Sequence, residues 1–174
     1  AEKKGYSHFM LKEIFEQPKV METIVQSSSS EIKKLAGLVR KSFGTYLIGC
    51  GSASYACLSG SYLFSKIAKR HVNWCVGSEF NYQLDFLTPK SLVIALSQSG
   101  ETMDILEAVR KARESRAKII AIVNVLGSTL HREADFSIPI NAGPEKAVAS
   151  TKAFTGKLAI LLLLAYALDG KLEK

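Results

Sequence analysis

Histidine, cysteine and long apolar runs are scarce in this sequence, and each shortage removes a class of chemistry. The three histidines, His8, His71 and His131, are scattered. No pair has metal-ligand spacing, and no Ser-His-Asp or Cys-His arrangement can be assembled. The three cysteines, Cys50, Cys57 and Cys75, give an odd count with no CxxC pair, which excludes zinc spacing and a disulfide framework. Each lies in an apolar context and is expected to be a reduced, buried thiol of a cytoplasmic protein, with no secretory signal ahead of it. The longest apolar run, residues 158–168, falls well short of the roughly 20 residues that span a bilayer. It reads as a buried helix, and no membrane partner is expected.

What is present is ordinary in bulk. The chain has 174 residues, 47% of them hydrophobic, enough for one core and too short for two comfortable domains. The net charge of +7 is dispersed over Lys33, Lys34, Arg40, Lys41, Lys66, Lys69, Arg110, Lys111 and Arg113. Such spacing beside Glu fits solvated helix faces better than a polynucleotide surface, so no nucleic-acid partner is expected. The residual positive field suits small anionic ligands.

The order of patterns is that of an α/β protein. Residues 9–17 are helical in period up to Pro18, residues 19–25 form a second stretch, and Ser30 is placed to cap a helix over 31–40. Short apolar runs at 45–48, 72–76, 92–96, 118–123 and 135–140 then read as strands. Helical stretches at 54–69, 102–113 and 151–168 lie between and after them. Continuous apolar strands alternating with helices require a parallel sheet covered on both faces. The expected fold is a three-layer α/β/α sandwich with about five parallel strands, flavodoxin-like. Residues 1–44 would supply a linker and helices packing on a domain over 45–174. Trp74, inside a strand, is expected in the core.

In open parallel sheets, ligands bind outside the carboxyl ends of the strands. Two such ends are small, hydroxyl-rich and run directly into a helix. They are Gly49-Cys50-Gly51-Ser52-Ala53-Ser54 and Ser97-Gln98-Ser99-Gly100-Glu101-Thr102, and Asn124 marks a third end. Backbone N–H groups and hydroxyls would there surround an anion at a positive helix end. Neither loop contains Lys or Arg, so neutral donors would hold it. The first loop is neither GxGxxG nor GxxxxGK[ST] and fits plain turn chemistry equally, because serine also caps helices. The second concentrates three hydroxyls, a glutamine and a glycine in six residues. The segment 142–154 carries Glu145, Ser150, Thr151 and Lys152; taken alone, Ser150 reads as a helix cap and Lys152 as solvent-facing.

Taken together, these segments resemble the sugar isomerase (SIS) domain family. The likeness is narrower to the first of the two SIS domains in the glutamine–fructose-6-phosphate aminotransferases. It rests on Ser97-Gln98-Ser99-Gly100-Glu101-Thr102 with Asp104, on Ala142-Gly143-Pro144-Glu145, and on Val148-Ala149-Ser150-Thr151-Lys152-Ala153-Phe154. It implies phosphate contacts at Ser97, Gln98, Ser99 and Thr102, and positions near the sugar hydroxyls at Val148 and Ser150. The family's first loop reads Cys-Gly-Thr-Ser, its serine touching substrate. Here it reads Cys50-Gly51-Ser52-Ala53, a methyl group flanked by Ser52 and Ser54. The implied ligands are fructose 6-phosphate and glucosamine 6-phosphate, without cofactor or metal. The implied partners are a glutaminase domain, a second SIS domain and a second copy in a homodimer. No catalytic residue is located here, because the family's base, ring-opening histidine and lysine lie in parts this sequence does not contain. Two other readings stay open: a non-catalytic sugar-phosphate sensor, and a stand-alone isomerase using Glu79, Glu101 or Glu145 as base.

Overall fold

The computed structural model describes residues 2–172. Its five strands are β1 (Thr45–Gly49), β2 (Asn73–Val76), β3 (Leu92–Ser97), β4 (Lys118–Val123) and β5 (Phe136–Pro139). All pair in parallel, in the order β2-β1-β3-β4-β5. Successive strand residues point to opposite faces, and both faces are dry. Leu47, Ile94, Leu96, Ile120, Ile122 and Ile138 enter one core. Their neighbours Ile48, Val93, Ala95, Ile119, Ala121 and Val123 enter the other. That explains the unbroken apolar runs. Each fully buried Val, Leu or Ile contributes roughly 1.5–3 kcal/mol.

Four helices cover the first face: α1 (Phe9–Ser27), α2 (Ser29–Lys41), α3 (Ser52–Lys66) and α6 (Lys152–Leu168). The other face is covered by α4 (Met103–Glu114), the short α5 (Thr129–Glu133) and a 3₁₀ segment (Gly77–Phe86). The apolar run 158–168 is buried or half-buried within α6, apart from Tyr166. Val20 and Ile24 of α1 and Ile32 and Leu35 of α2 join the same cluster as Ile160 and Leu164 of α6. The N-terminal helices are therefore part of the core. Among the described residues no helix is long and apolar enough to cross a membrane.

Three details depart from the sequence reading. Pro18 does not interrupt α1. A proline leaves the carbonyl four residues earlier without its donor, and here the Gln17 amide donates to that Ile14 carbonyl at 3.0 Å. Ser30 caps nothing: α2 begins at Ser29, and the Ser30 hydroxyl donates to Glu31 instead. Trp74 is 38% exposed, because β2 is the edge strand where the helical cover ends.

The topology fixes where a ligand would sit. From β1 the chain steps outward to β2 and then returns to place β3 on the other side of β1. The connections leaving β1 and β3 therefore diverge, and a crevice opens between their carboxyl ends. The two hydroxyl-rich loops border that crevice.

Candidate functional site

A cleft of about 140 Å³ lies at this switch point, lined by Cys50, Ser52, Ala53, Leu96, Ser97, Gln98, Ser99, Thr102 and Lys157. Six of the eight residues singled out from the sequence meet there. The loop after β3 is held by its own side chains. The Gly100 N–H donates to Ser97 Oγ at 2.9 Å, and the Glu101 N–H to Ser99 Oγ at 3.2 Å. Ser97 Oγ and Thr102 Oγ1 lie 3.4 Å apart. Because Ser97 and Ser99 are used as acceptors, hydroxyl hydrogens remain to be donated into the cleft. Gly100 has φ +70°, a left-handed conformation that glycine adopts at low cost. The Thr102 carbonyl accepts the N–H groups of Ile105 and Leu106, starting α4.

The loop after β1 is tighter. Gly51, at φ +55°, precedes α3, and the Ser54 hydroxyl donates to the Gly51 carbonyl at 2.7 Å. Ser54 is thereby committed to the turn. Ala53 is buried with its methyl at the cleft wall, and Ser52 is exposed beside it. Cys50 stays a neutral thiol: burial and the nearby Asp104 push its pKa up, outweighing the Gly77 and Ser78 N–H groups. It will not repel an anion.

Ala53→Ser should therefore add a hydroxyl donor to the cleft and tighten binding of the sugar phosphate that the resemblance implies by about 0.5–3 kcal/mol. Calorimetric titration with fructose 6-phosphate checks this. Unchanged affinity, with a loss in Ser52→Ala, would give the role to Ser52.

The segment between β5 and α6 is clamped from several sides. The Asn124 amide donates to the Gly143 carbonyl at 2.8 Å and accepts the Ala142 N–H at 2.9 Å, so both its ends serve structure. The buried Glu13 carboxylate of α1 accepts the N–H groups of Lys146 and Ala147. Glu145 accepts the N–H groups of Thr151 and Ala153 and the Ser150 hydroxyl. Ser150 thus serves the start of α6 by way of Glu145, while Thr151 occupies the cap position. Val148 is fully exposed. Neither Val148 nor Ser150 lines the cleft.

Lys152 is not solvent-facing. It is 3% exposed, and its ammonium pairs with Glu16 of α1 at 2.6 Å. Burial works against the Glu16 carboxylate, but the hydrogen bond and charge of Lys152, with Lys12 beside it, bring its pKa below the ordinary value.

The three glutamates considered as bases are engaged elsewhere. Glu101 accepts the Thr129 N–H at 2.8 Å, which with the Arg132 charge lowers its pKa. Glu145 is taken up by α6, and the exposed Glu79 accepts from Ser78. Among the described residues, no carboxylate lines the cleft.

Lys157 is the residue the sequence reading missed. It reaches the cleft from α6, a helix outside both loops, so the cleft does contain a cation. Its signal was available: Ala153, Lys157 and Leu161 share a helical stripe, which sets a lysine at a core position of an apolar helix.

A parallel α/β domain with hydroxyl donors at its switch point is the architecture of small-anion binders. Residues 39–167 match the SIS domain, and the chain belongs to that family. It is 43% identical over 170 residues to the glutamine–fructose-6-phosphate aminotransferase (isomerizing) of Thermus thermophilus, covering 95% of this chain and 28% of that one. With the enzyme of that name from Methanocaldococcus jannaschii it shares 46% identity over 164 residues, covering 94% and 15%. The C-terminal domain of glucosamine-fructose-6-phosphate aminotransferase from Francisella tularensis superposes with a TM-score of 0.88 at 34% identity, covering 98% of this chain and 49% of that one. The chain spans under a third of the length of the two curated enzymes it matches.

Proposed function

We propose that this chain is the substrate-binding half of the isomerase module of a glutamine–fructose-6-phosphate aminotransferase. The observation that carries the reading is the convergence of Ser97, Gln98, Ser99 and Thr102 with the start of α3 on one carboxylate-free cleft. Those donors hold the phosphate of fructose 6-phosphate, and glucosamine 6-phosphate leaves from the same site. Val148 and Ser150, on the clamped segment before α6, border the sugar hydroxyls. The chemistry needs no cofactor. Ammonia from a glutaminase domain condenses with the C2 ketone and water leaves; a base then takes a proton from C1 and one is returned to C2. That base is assigned to a second SIS domain of the same parent; among the described residues no carboxylate lines the cleft. The setting is cytoplasmic. The parent works as a homodimer, a reading supported by exposed Phe43, Tyr82 and Phe86 around one hollow.

The test is turnover of fructose 6-phosphate with ammonia, by this chain and by its full-length parent. The parent should release glucosamine 6-phosphate, while this chain binds fructose 6-phosphate and turns over nothing. Glucosamine 6-phosphate or glucose 6-phosphate formed by this chain alone would favour a self-sufficient isomerase. Ligand binding without turnover by the parent would favour a sensor.

A further inference from the structure

Lys157 is 1% exposed. No hydrogen bond or ion pair engages its ammonium among the described residues, yet it lines the cleft with Ser97, Ser99 and Thr102. The packing explains how it gets there. On α6, Leu161 lies against Gly60 of α3, where an added Cβ would stand 2.9 Å from Leu161 Cδ1. Lys157 is one turn earlier on the same stripe, as Cys57 and Ala53 are earlier on α3. Long helical side chains lean toward the helix N-terminus, and both helices begin at the carboxyl edge of the sheet. Among the described residues, two titratable groups act on Lys157, and burial keeps one of them, the Cys57 thiol, neutral. Cys57 faces it from α3, and Glu145 from the segment before α6 is already taken up by Thr151, Ala153 and Ser150. Burial lowers the pKa of Lys157, against the pull of Glu145 and Cys57. An ammonium left alone in the interior is costly, and the cleft is where an anion would relieve it.

We infer that Lys157 is the cationic contact of the cleft, donating to the phosphate where Ala53 supplies no hydroxyl. This rests on the sugar-phosphate reading above and adds a charge-selecting residue to it. The probes are fructose 6-phosphate, inorganic phosphate and unphosphorylated fructose, titrated into the parent chain, Lys157→Gln, Lys157→Met and Thr102→Val. Both Lys157 variants should bind the two phosphates about 10- to 150-fold more weakly, the span of one hydrogen bond to a charged group. Their weak response to fructose should not change. Lys157→Met should melt higher than the parent without ligand, since it removes an unpaired buried charge, and phosphate should raise its melting temperature less. If Lys157→Met does not fold, Lys157→Gln, similar in length and still polar, decides by the same titrations. Parent-like phosphate affinity in Lys157→Gln, with a loss in Thr102→Val, overturns the role of Lys157 and leaves the cleft reading standing. A parent chain that binds neither phosphate overturns both.

Discussion

Thr102→Val should weaken fructose 6-phosphate binding by about 10- to 150-fold, equivalent to roughly 1.5–3 kcal/mol for a lost hydrogen bond to a charged acceptor. The substitution keeps the shape of the side chain and removes one hydroxyl. It should do little to the fold, because Thr102 begins α4 without a side-chain cap bond. The bonds that start the helix come from its carbonyl to the Ile105 and Leu106 N–H groups, and valine retains that carbonyl. The neighbouring Ser97 keeps the Gly100 N–H as donor to its oxygen, so the loop stays folded. Ser99→Ala is the less clean companion. It removes a hydroxyl from the cleft and also the acceptor of the Glu101 N–H, so some stability should fall with affinity. Calorimetry for binding and urea denaturation for stability separate the two. Parent-like affinity in both variants would place the phosphate elsewhere.

The sheet was legible in the sequence because both of its faces are buried. Residues 118–123 read as a strand and form one at those bounds, since every position from Ile119 to Val123 is apolar and dry. The 3₁₀ segment at Gly77–Phe86 and the five-residue α5 carry no comparable period, and nothing in their composition marks them. The loop at 97–102 was legible because a strand end and a helix start confine its hydroxyls to one place. Lys152 and Lys157 were not, for one shared reason. Both are cations inside an otherwise apolar helix, and their surroundings come from segments distant in sequence. Lys152 meets Glu16 more than a hundred residues earlier. Lys157 meets the loops after β1 and β3. The apolar stripe of α6 marks Lys157 as a core position, but spacing along one helix does not tell which distant loops or carboxylate a buried lysine meets.

Gly100→Ala should destabilise the fold by about 3 kcal/mol or more, and two independent costs argue for it. Alanine at φ +70° is held in a conformation that costs a non-glycine residue on the order of 1–3 kcal/mol. Its methyl would also stand 2.0 Å from Ser128 Oγ, 2.6 Å from Ser128 Cβ and 2.9 Å from Val123 Cγ2. Rotating the serine hydroxyl away would not suffice, because its Cβ is fixed by the backbone that enters α5. Either the loop after β3 or the start of α5 must shift. Both are tied together, since the Gly100 carbonyl accepts the Leu130 N–H and Glu101 accepts the Thr129 N–H. Phosphate affinity should therefore fall along with stability. A second substitution separates the two costs. Ser128 Oγ is buried with no hydrogen-bond partner among the described residues, so Ser128→Gly removes nothing that bonds and takes away both atoms that clash most. Gly100→Ala combined with Ser128→Gly should recover the steric part and keep the backbone part, a favourable coupling on the order of 1–2 kcal/mol in a double-mutant cycle. Urea denaturation of the four proteins measures it. Additive effects would mean that the loop relaxes around the methyl group, and that the dihedral angle of Gly100 alone requires a glycine there.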